Sequence, residues 1–239
     1  MARRTKEDAL ATRNSLLDAA ECLFQMQGVS RTTLQHIALR AGTTRGAVYW
    51  HFKDKADLFN AMMERITLPL EAHFDNESGL DEDNGAARIG PLDRTRNAIG
   101  KALYQIVNDL QTRRVLEVAT QKVEYVEEHN AIRLRHLAIR DSFLGRVQQG
   151  LDAAALDDKL MLSVPSAMAA QGLHALIDGL IQNWLLDPQA FDLVQAGHCT
   201  MDVYFTGLGF HIKPTGSELT RTCDVAHPDV VIDMSGRIG

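Results

Sequence analysis

The sequence predicts an all-α fold in two parts, a small N-terminal helix-turn-helix domain and a larger C-terminal helical body. Apolar residues recur at intervals of three and four along most of the 239-residue chain, which is the periodicity of helices buried on one face. No segment makes a convincing strand. Glycine, proline or a capping residue stands near the ends of most periodic segments, which predicts separate helices with short connections.

Four helices are predicted before the first break in this periodicity. Their spans are 12–27, a short helix from Thr32 or Thr33 to Ala41, a third from Thr44 to Trp50, and a longer fourth from Asp54. Threonine and aspartate cap helix N-termini with a side-chain oxygen, which favours these starting points. Gly28 and Gly42 supply C-terminal stops.

The body is predicted to hold about six helices. A loop rich in Gly, Asn and acidic residues is expected from Asp75 to Pro91. The helical segments after it are 93–110, 112–120, 122–149 with Gly150 as its stop, a helix opened by Pro165 and running to Leu186, and a last helix that ends near 207–209. Periodicity is lost from His211, which predicts a disordered tail. The expected domains are 1–55, 56–210 and the tail 211–239.

Charge is divided unevenly along the chain. Residues 1–65 hold ten Lys and Arg against seven Asp and Glu, a net +3, and the other 15 basic and 24 acidic residues give −9, which together make the overall −6. Affinity for nucleic acid depends on local charge and not on the net value. A phosphate-binding surface is therefore expected in the N-terminal part, and the acidic body argues against an architectural DNA-bending protein.

Composition excludes several other classes. No apolar run approaches the roughly 20 residues that span a bilayer, and the basic start of the chain is not followed by the apolar region of a signal peptide, so we expect a cytoplasmic protein with no membrane partner. Cys22, Cys199 and Cys223 are odd in number and widely spaced, which suits neither disulfides nor zinc. No metalloprotease motif, phosphate loop or nucleophile elbow is present, so we expect no enzyme activity, cofactor or metal.

The connection of residues 41–44 predicts the chemistry of the N-terminal domain. Two short helices joined by a small-residue turn make the helix-turn-helix geometry, whose second helix enters the major groove of DNA. Gly42 can adopt the positive φ that such a turn needs. Arg45 can donate a bidentate pair to guanine, and the small Gly46 and Ala47 allow close approach to base edges.

Phosphate contacts are predicted around this helix. Tyr49, His51 and Lys55 can reach phosphates, and the Thr44 hydroxyl lies near any DNA backbone docked there. Trp50 either packs on the first helix or faces DNA. The full set of predicted DNA-contact residues is Thr33, Thr44, Arg45, Gly46, Ala47, Tyr49, Trp50, His51 and Lys55.

This segment resembles the tetracycline-repressor-like (TetR) family, whose motif reads approximately T-x-x-x-I-A-x-x-A-G-V-[ST]-x-G-x-[LIV]-Y-x-[HY]-F-x-x-K-x-x-L. The matching positions are Thr33, Ile37, Ala38, Ala41, Gly42, Thr44, Gly46, Val48, Tyr49, His51, Phe52, Lys55 and Leu58. The chain departs from the motif at Thr43, where the family usually has valine. The specific resemblance covers residues 9–65, about a quarter of the chain.

The opening residues 3–7 and the string 44–52 are similar to the branch of this family that represses multidrug efflux pumps. That resemblance implies a broad, mostly apolar pocket in the body. The pocket residues it implies are Leu116, Thr120, Phe143, His174, Ile177, Asp178 and Ile181. The last four recur at helical spacing on one face, where a histidine can also be a satisfied core residue.

These features predict a homodimeric repressor that reads both halves of a near-palindromic operator and is released by a small amphipathic or aromatic inducer. A regulator of a catabolic or other metabolic operon with a dedicated inducer is the alternative. The dimer is expected to form a four-helix bundle from the last two helices. Its predicted apolar residues are Leu173, Leu176, Leu180, Phe191, Val194, Val203 and Phe205.

Overall fold

The computed structural model describes residues 6–78, 89–123 and 130–212. Within these ranges the chain forms nine helices and no strand, which confirms the all-α prediction. The helices are α1 (Lys6–Gln27), α2 (Leu34–Arg40), α3 (Arg45–His51), α4 (Lys55–Ser78), α5 (Pro91–Asn108), α6 (Leu110–Gln121), α7 (Asn130–Asp157), α8 (Ser166–Leu186) and α9 (Leu193–Gly207). The tail predicted to be disordered lies, from residue 213 onward, outside the described residues. None of the described helices combines the length and the apolar character needed to cross a bilayer.

Two helix ends in the first half of the chain differ from the prediction. The first helix begins at Lys6 and not near Thr12, and Glu7 and Asp8 in its first turn complement the positive end of the helix dipole. The fourth helix continues through residues 75–78, which had been predicted as loop. Polar residues do not stop a helix by themselves, and Gly79 is the first strong helix breaker in the sequence after residue 74.

Pro69 lies inside α4. Proline has no backbone N–H, so the carbonyl of Arg65 one turn earlier receives no helical hydrogen bond from residue 69. The backbone hydrogen bonds of α4 are therefore weakest between Arg65 and Pro69. Helices usually bend at such a proline.

Gly150 lies inside α7 and does not end it, so the predicted stop is wrong. The helix runs seven residues further, to Asp157. A Cβ atom at position 150 would overlap the hydroxyl of Thr95 on α5 and lie 3.3 Å from its Cβ. The glycine therefore permits the close approach of α5 and α7. In the sequence alone, a glycine in this packing role looks the same as one that ends a helix.

The helices bury two apolar clusters. One joins α1, α2 and α3 to the first half of α4, to Val115 and Val118 of α6 and to Ile132 of α7. The other is formed by α5, α7, α8 and α9. Leu116 packs against both clusters. The predicted domain boundary at residue 55 thus falls within the first cluster, because the α4 residues just after it pack with the N-terminal helices.

We expect Gly150→Ala to lower the free energy of unfolding by about 1–3 kcal/mol, the usual cost of overpacking a core. Thr95 is buried and its hydroxyl is bonded to the Pro91 carbonyl, so it cannot easily move aside. Gly145→Ala is the matched control on the same helix, because a Cβ there meets nothing within 4 Å. It should raise stability by about 0.5–1 kcal/mol through helix propensity. Urea denaturation measures both, and equal effects would refute the close approach.

Candidate DNA interface and ligand cavity

Each of the two short helices begins at a threonine cap. The hydroxyl of Thr33 accepts from the N–H of His36 at 3.2 Å, and that of Thr44 accepts from the N–H of Ala47 at 3.2 Å. Between the helices Gly42 has φ +65°. The predicted positive φ and both caps are confirmed, and together they fix the angle at which α3 leaves α2.

The outer face of α3 carries four of the nine predicted DNA-contact residues. Val48 anchors the helix in the core, while Arg45, Gly46, Tyr49 and Trp50 are exposed, Trp50 at 71%. The sequence left two roles open for Trp50, packing on the first helix or facing DNA. Its exposure favours the second role, because the ring faces solvent. An exposed indole on a short helix with a positively charged neighbour suits contact with a nucleic acid.

Arg45 and Tyr49 form a side-chain pair on this face. The Arg45 Nη2 donates to the Tyr49 hydroxyl at 3.0 Å, and the guanidinium carbon lies 5.4 Å from the centre of the ring. The residues are one helical turn apart, so the pair lies along α3. Arg45 therefore already lies along the surface that would face a base edge.

Ala47, His51 and Lys55 are half-buried. The His51 ring meets the Trp50 ring edge-on, with centroids 4.5 Å apart. The Lys55 ammonium donates to the carbonyls of Val29 at 2.9 Å and Thr32 at 3.3 Å, with Ser30 at 3.4 Å. It thereby holds the connection between α1 and α2, a role that the sequence did not indicate. The salt dependence of DNA affinity distinguishes this role from the phosphate contact that the sequence predicted for Lys55.

The body contains an apolar cavity of about 160 Å³ at the junction of the two clusters. Its lining residues come from α4, α5, α6, α7 and α8, and are Thr67, Phe74, Ile99, Ala102, Leu103, Ile106, Leu116, Ile139, Phe143, Arg146, Ile177 and Ile181. The wall is almost wholly hydrocarbon. Thr67 contributes a buried hydroxyl for which the described residues offer no hydrogen-bond partner, and Arg146 is the charged residue among those that line the cavity.

Four of the seven predicted pocket residues lie on this wall: Leu116, Phe143, Ile177 and Ile181. The other three are not among its lining residues. The Thr120 hydroxyl donates to the Leu116 carbonyl of its own helix at 2.8 Å. His174 packs behind the wall, with its ring 5.5 Å from that of Phe143. The Asp178 carboxylate accepts a hydrogen bond from the Gln182 side chain one turn later on α8. His174 and Asp178 therefore both make local contacts within the chain in this structure.

The electrostatics behind the wall favour a neutral histidine. Burial lowers the pKa of His174 more than the neighbouring Asp178 carboxylate raises it, and Arg140 lowers it further. The ring therefore carries no charge near pH 7. The face of α8 toward the cavity presents the aliphatic side chains of Ile177 and Ile181.

The sequence missed the lining residues of α4 and α5. Thr67 and Phe74 are seven residues apart, two helical turns on one face, but residue 74 adjoins the segment predicted as loop. Ile99, Leu103 and Ile106 show the same spacing. The signal was present as periodicity, and only the tertiary arrangement shows that these faces enclose a cavity.

A helix-turn-helix with an exposed donor-bearing second helix, joined to a helical body with an apolar cavity, is the plan of a ligand-responsive transcription regulator. Comparisons with known families agree. The chain matches the family described as bacterial regulatory proteins, tetR family, over residues 16–62, and the C-terminal region of MAATS-type transcriptional repressors over residues 90–210. The chain belongs to the tetR family of bacterial transcriptional regulators.

Several relatives share most of its length. The transcriptional regulator TtgR of Pseudomonas putida is 37% identical over 195 residues, which is 81% of this chain and 90% of TtgR. The structure of NalD, the secondary repressor of the MexAB-OprM multidrug efflux pump in Pseudomonas aeruginosa, is 36% identical, covers 84% of this chain and 98% of NalD, and superposes with a TM-score of 0.74. A complex of SmeT with triclosan is 28% identical, covers 87% of this chain and 100% of SmeT, and has a TM-score of 0.70. SmeT is the repressor of the SmeDEF multidrug efflux pump of Stenotrophomonas maltophilia.

Lys55 and Arg45 should respond differently to substitution. Lys55→Met leaves three loop carbonyls without their shared donor, so we expect a lower melting temperature and an unchanged dependence of DNA affinity on salt. Arg45→Ala should leave the melting temperature nearly unchanged and cost about 1–3 kcal/mol of discrimination at one base pair. Calorimetry and fluorescence anisotropy over a salt series check both. A salt slope lower by about 0.9 for Lys55→Met would instead support the phosphate contact.

Proposed function

We propose that this protein represses a multidrug efflux operon and is released from its operator by small amphipathic or aromatic compounds. The observation that carries the proposal is the apolar cavity, because two of the helices that wall it, α4 and α6, also pack against the DNA-binding helices. Two relatives support the pathway, since NalD and SmeT repress efflux pumps and SmeT forms a complex with triclosan.

In this proposal α3 enters the major groove, with Arg45 reading a base and Thr33, Thr44 and Tyr49 contacting phosphates. Trp50 contacts the DNA backbone, and the small Gly46 and Ala47 allow the close approach. His51 contacts a phosphate as well, and Lys55 holds the α1–α2 connection beside the recognition helix. We place the boundary between head and body at the start of α4.

The wall chemistry favours a broad ligand range over one dedicated metabolic inducer. A site that selects one polar metabolite needs several matched hydrogen-bonding groups, because it discriminates through the cost of leaving them unpaired. Here the described wall offers almost only hydrocarbon, and Thr67 and Arg146 are its two residues with polar side-chain groups. Such a cavity binds ligands by removing their apolar surface from water, and the free energy of this burial differs little between similar compounds.

A homodimer provides the second head that a near-palindrome requires. Leu176 on α8 is 41% exposed and Val203 on α9 is 76% exposed, so both offer apolar surface to a second copy. Leu173 and Phe205, which the sequence assigned to the same surface, are buried within the chain itself and are therefore removed from it. We place the dimer contact on the outer faces of α8 and α9.

Release of DNA by a ligand is the central test. Triclosan should weaken binding to the operator by about 5- to 150-fold, the usual range of allosteric coupling. Ile181→Phe narrows the cavity, so we expect it to raise the triclosan concentration needed for release at least tenfold, about 1.4 kcal/mol, with little change in ligand-free DNA affinity. Asp178→Asn, behind the wall, is the control and should behave as wild type. Anisotropy titrations with labelled operator give both quantities, and identical behaviour of both variants would remove this cavity from the proposal.

The dimer contact predicts that Val203→Glu shifts the protein toward its 26.5 kDa monomer, because two like charges would be buried across a two-fold axis. Gln195→Glu, also exposed on α9, controls for added charge alone. Sedimentation velocity at micromolar concentration distinguishes the species. A wild-type protein that sediments only as monomer would contradict the assembly.

A further inference from the structure

A buried carboxylate lies where the DNA-binding helices meet the body. Glu21 of α1 is 1% exposed and stands at the crossing of α1, α4 and α6. Arg65 of α4 donates through Nη1 to Glu21 Oε1 at 2.7 Å, and Gln111 of α6 donates through Nε2 to the two carboxylate oxygens at 3.1 and 3.3 Å. We call these three residues the Glu21 clamp.

Arg65 also reaches two other residues of α1. Its Nη1 donates to Asp18 at 2.6 Å, and its Nη2 donates to the Asn14 carbonyl at 3.2 Å. Asp18 is 65% exposed, so that contact is screened by water, whereas the one to Glu21 is not. Burial raises the pKa of Glu21, because it disfavours the charged carboxylate. The contacts with Arg65 and Gln111 lower the pKa and oppose burial, so the charged form depends on these partners.

Both partners of Glu21 come from helices that wall the ligand cavity. On α4, Arg65 and the lining residue Thr67 are two positions apart, roughly 200° around the helix, so they point to opposite sides. On α6, Gln111 precedes the lining residue Leu116. The Glu21 carboxylate, which belongs to the DNA-binding part of the chain, is thus bound by side chains from two of the helices that wall the cavity.

The connection between α1 and α6 continues beyond the clamp. Gln25 donates to Glu117 at 2.8 Å, and the Val29 N–H donates to the Lys122 carbonyl at 3.1 Å. On α4, by contrast, the Arg65 carbonyl lacks its helical donor because residue 69 is proline. A displacement of α6 is therefore passed to α1 along its length, while α4 can bend just beyond Arg65.

We propose that the Glu21 clamp couples occupation of the cavity to the orientation of the head, with Arg65 and Gln111 as the positioning residues. The proposal rests on the proposed function. A ligand that moves α6 away from the first half of α4 cannot leave both Arg65 and Gln111 bonded to Glu21. Because an unpaired buried carboxylate is costly, α1 follows one helix and carries α2 and α3 out of the geometry that fits DNA.

The test compares coupling in four proteins, the wild type, the double variant Glu21→Leu/Arg65→Leu, Gln111→Met and Asp18→Asn. Coupling is the ratio of operator Kd with saturating triclosan to operator Kd without it. Replacing a buried ion pair by apolar residues usually preserves folding, so the double variant should keep triclosan Kd and ligand-free operator Kd within about threefold of wild type. Its coupling ratio should fall from about 5–150 to below about 2.

Gln111→Met removes only the α6 contact and leaves the ion pair in place, so it tests the inference even if the double variant does not fold. We expect its coupling ratio to fall at least threefold with triclosan affinity unchanged. Asp18→Asn removes the exposed partner of the same arginine and should couple as wild type does. A wild-type ratio in Gln111→Met and in a folded double variant would overturn the clamp and leave the proposed function standing. A wild-type protein whose operator Kd does not change with triclosan would overturn the proposed function itself.

Discussion

The arrangement of the whole molecule depends on α1 burying two faces at once. Leu16, Leu17, Ala20 and Phe24 are fully buried in a cluster that contains residues of the short DNA-binding helices and of α4 and α6. A three-helix unit of this size would expose much apolar surface by itself, and packing on the body covers it. The DNA-binding helices therefore take their orientation from the body, and a change of packing in the body reaches them without a flexible linker.

The cavity lies where this shared cluster meets the second one. Leu116 packs against both clusters and also lines the cavity, so a ligand there adds contacts at the seam between them. Seams between packed units can adopt alternative arrangements more easily than the interior of either unit, because fewer interdigitated side chains must move together. The position of the cavity thus suits the proposed release of DNA by apolar compounds.

Local chemistry made much of this structure predictable. The caps at Thr33 and Thr44 and the positive φ of Gly42 depend on residues adjacent in sequence, and the structure has them as the sequence indicates. The prediction for Gly150 was wrong because the residue that leaves no room for a Cβ there, Thr95, lies on another helix. The three carbonyls around Lys55 and the pairing of Glu21 with Arg65, 44 residues apart, are likewise products of tertiary contact that no periodicity reports. Of the seven pocket residues that the resemblance implied, four lie on the cavity wall, and the lining residues of α4 and α5 were missed because only the tertiary arrangement shows that these helices enclose a cavity.

The contact between Arg45 and Tyr49 has a consequence for the kinetics and thermodynamics of operator search. Immobilising a long side chain at an interface costs roughly 0.5–1.5 kcal/mol of rotamer entropy when binding occurs. In this protein the guanidinium is already held by the phenol hydroxyl, so part of that entropy is lost on folding and not on association. If α3 enters the major groove as proposed, cognate and non-cognate DNA meet the same ordered pair, so the pair itself adds no preference between sites.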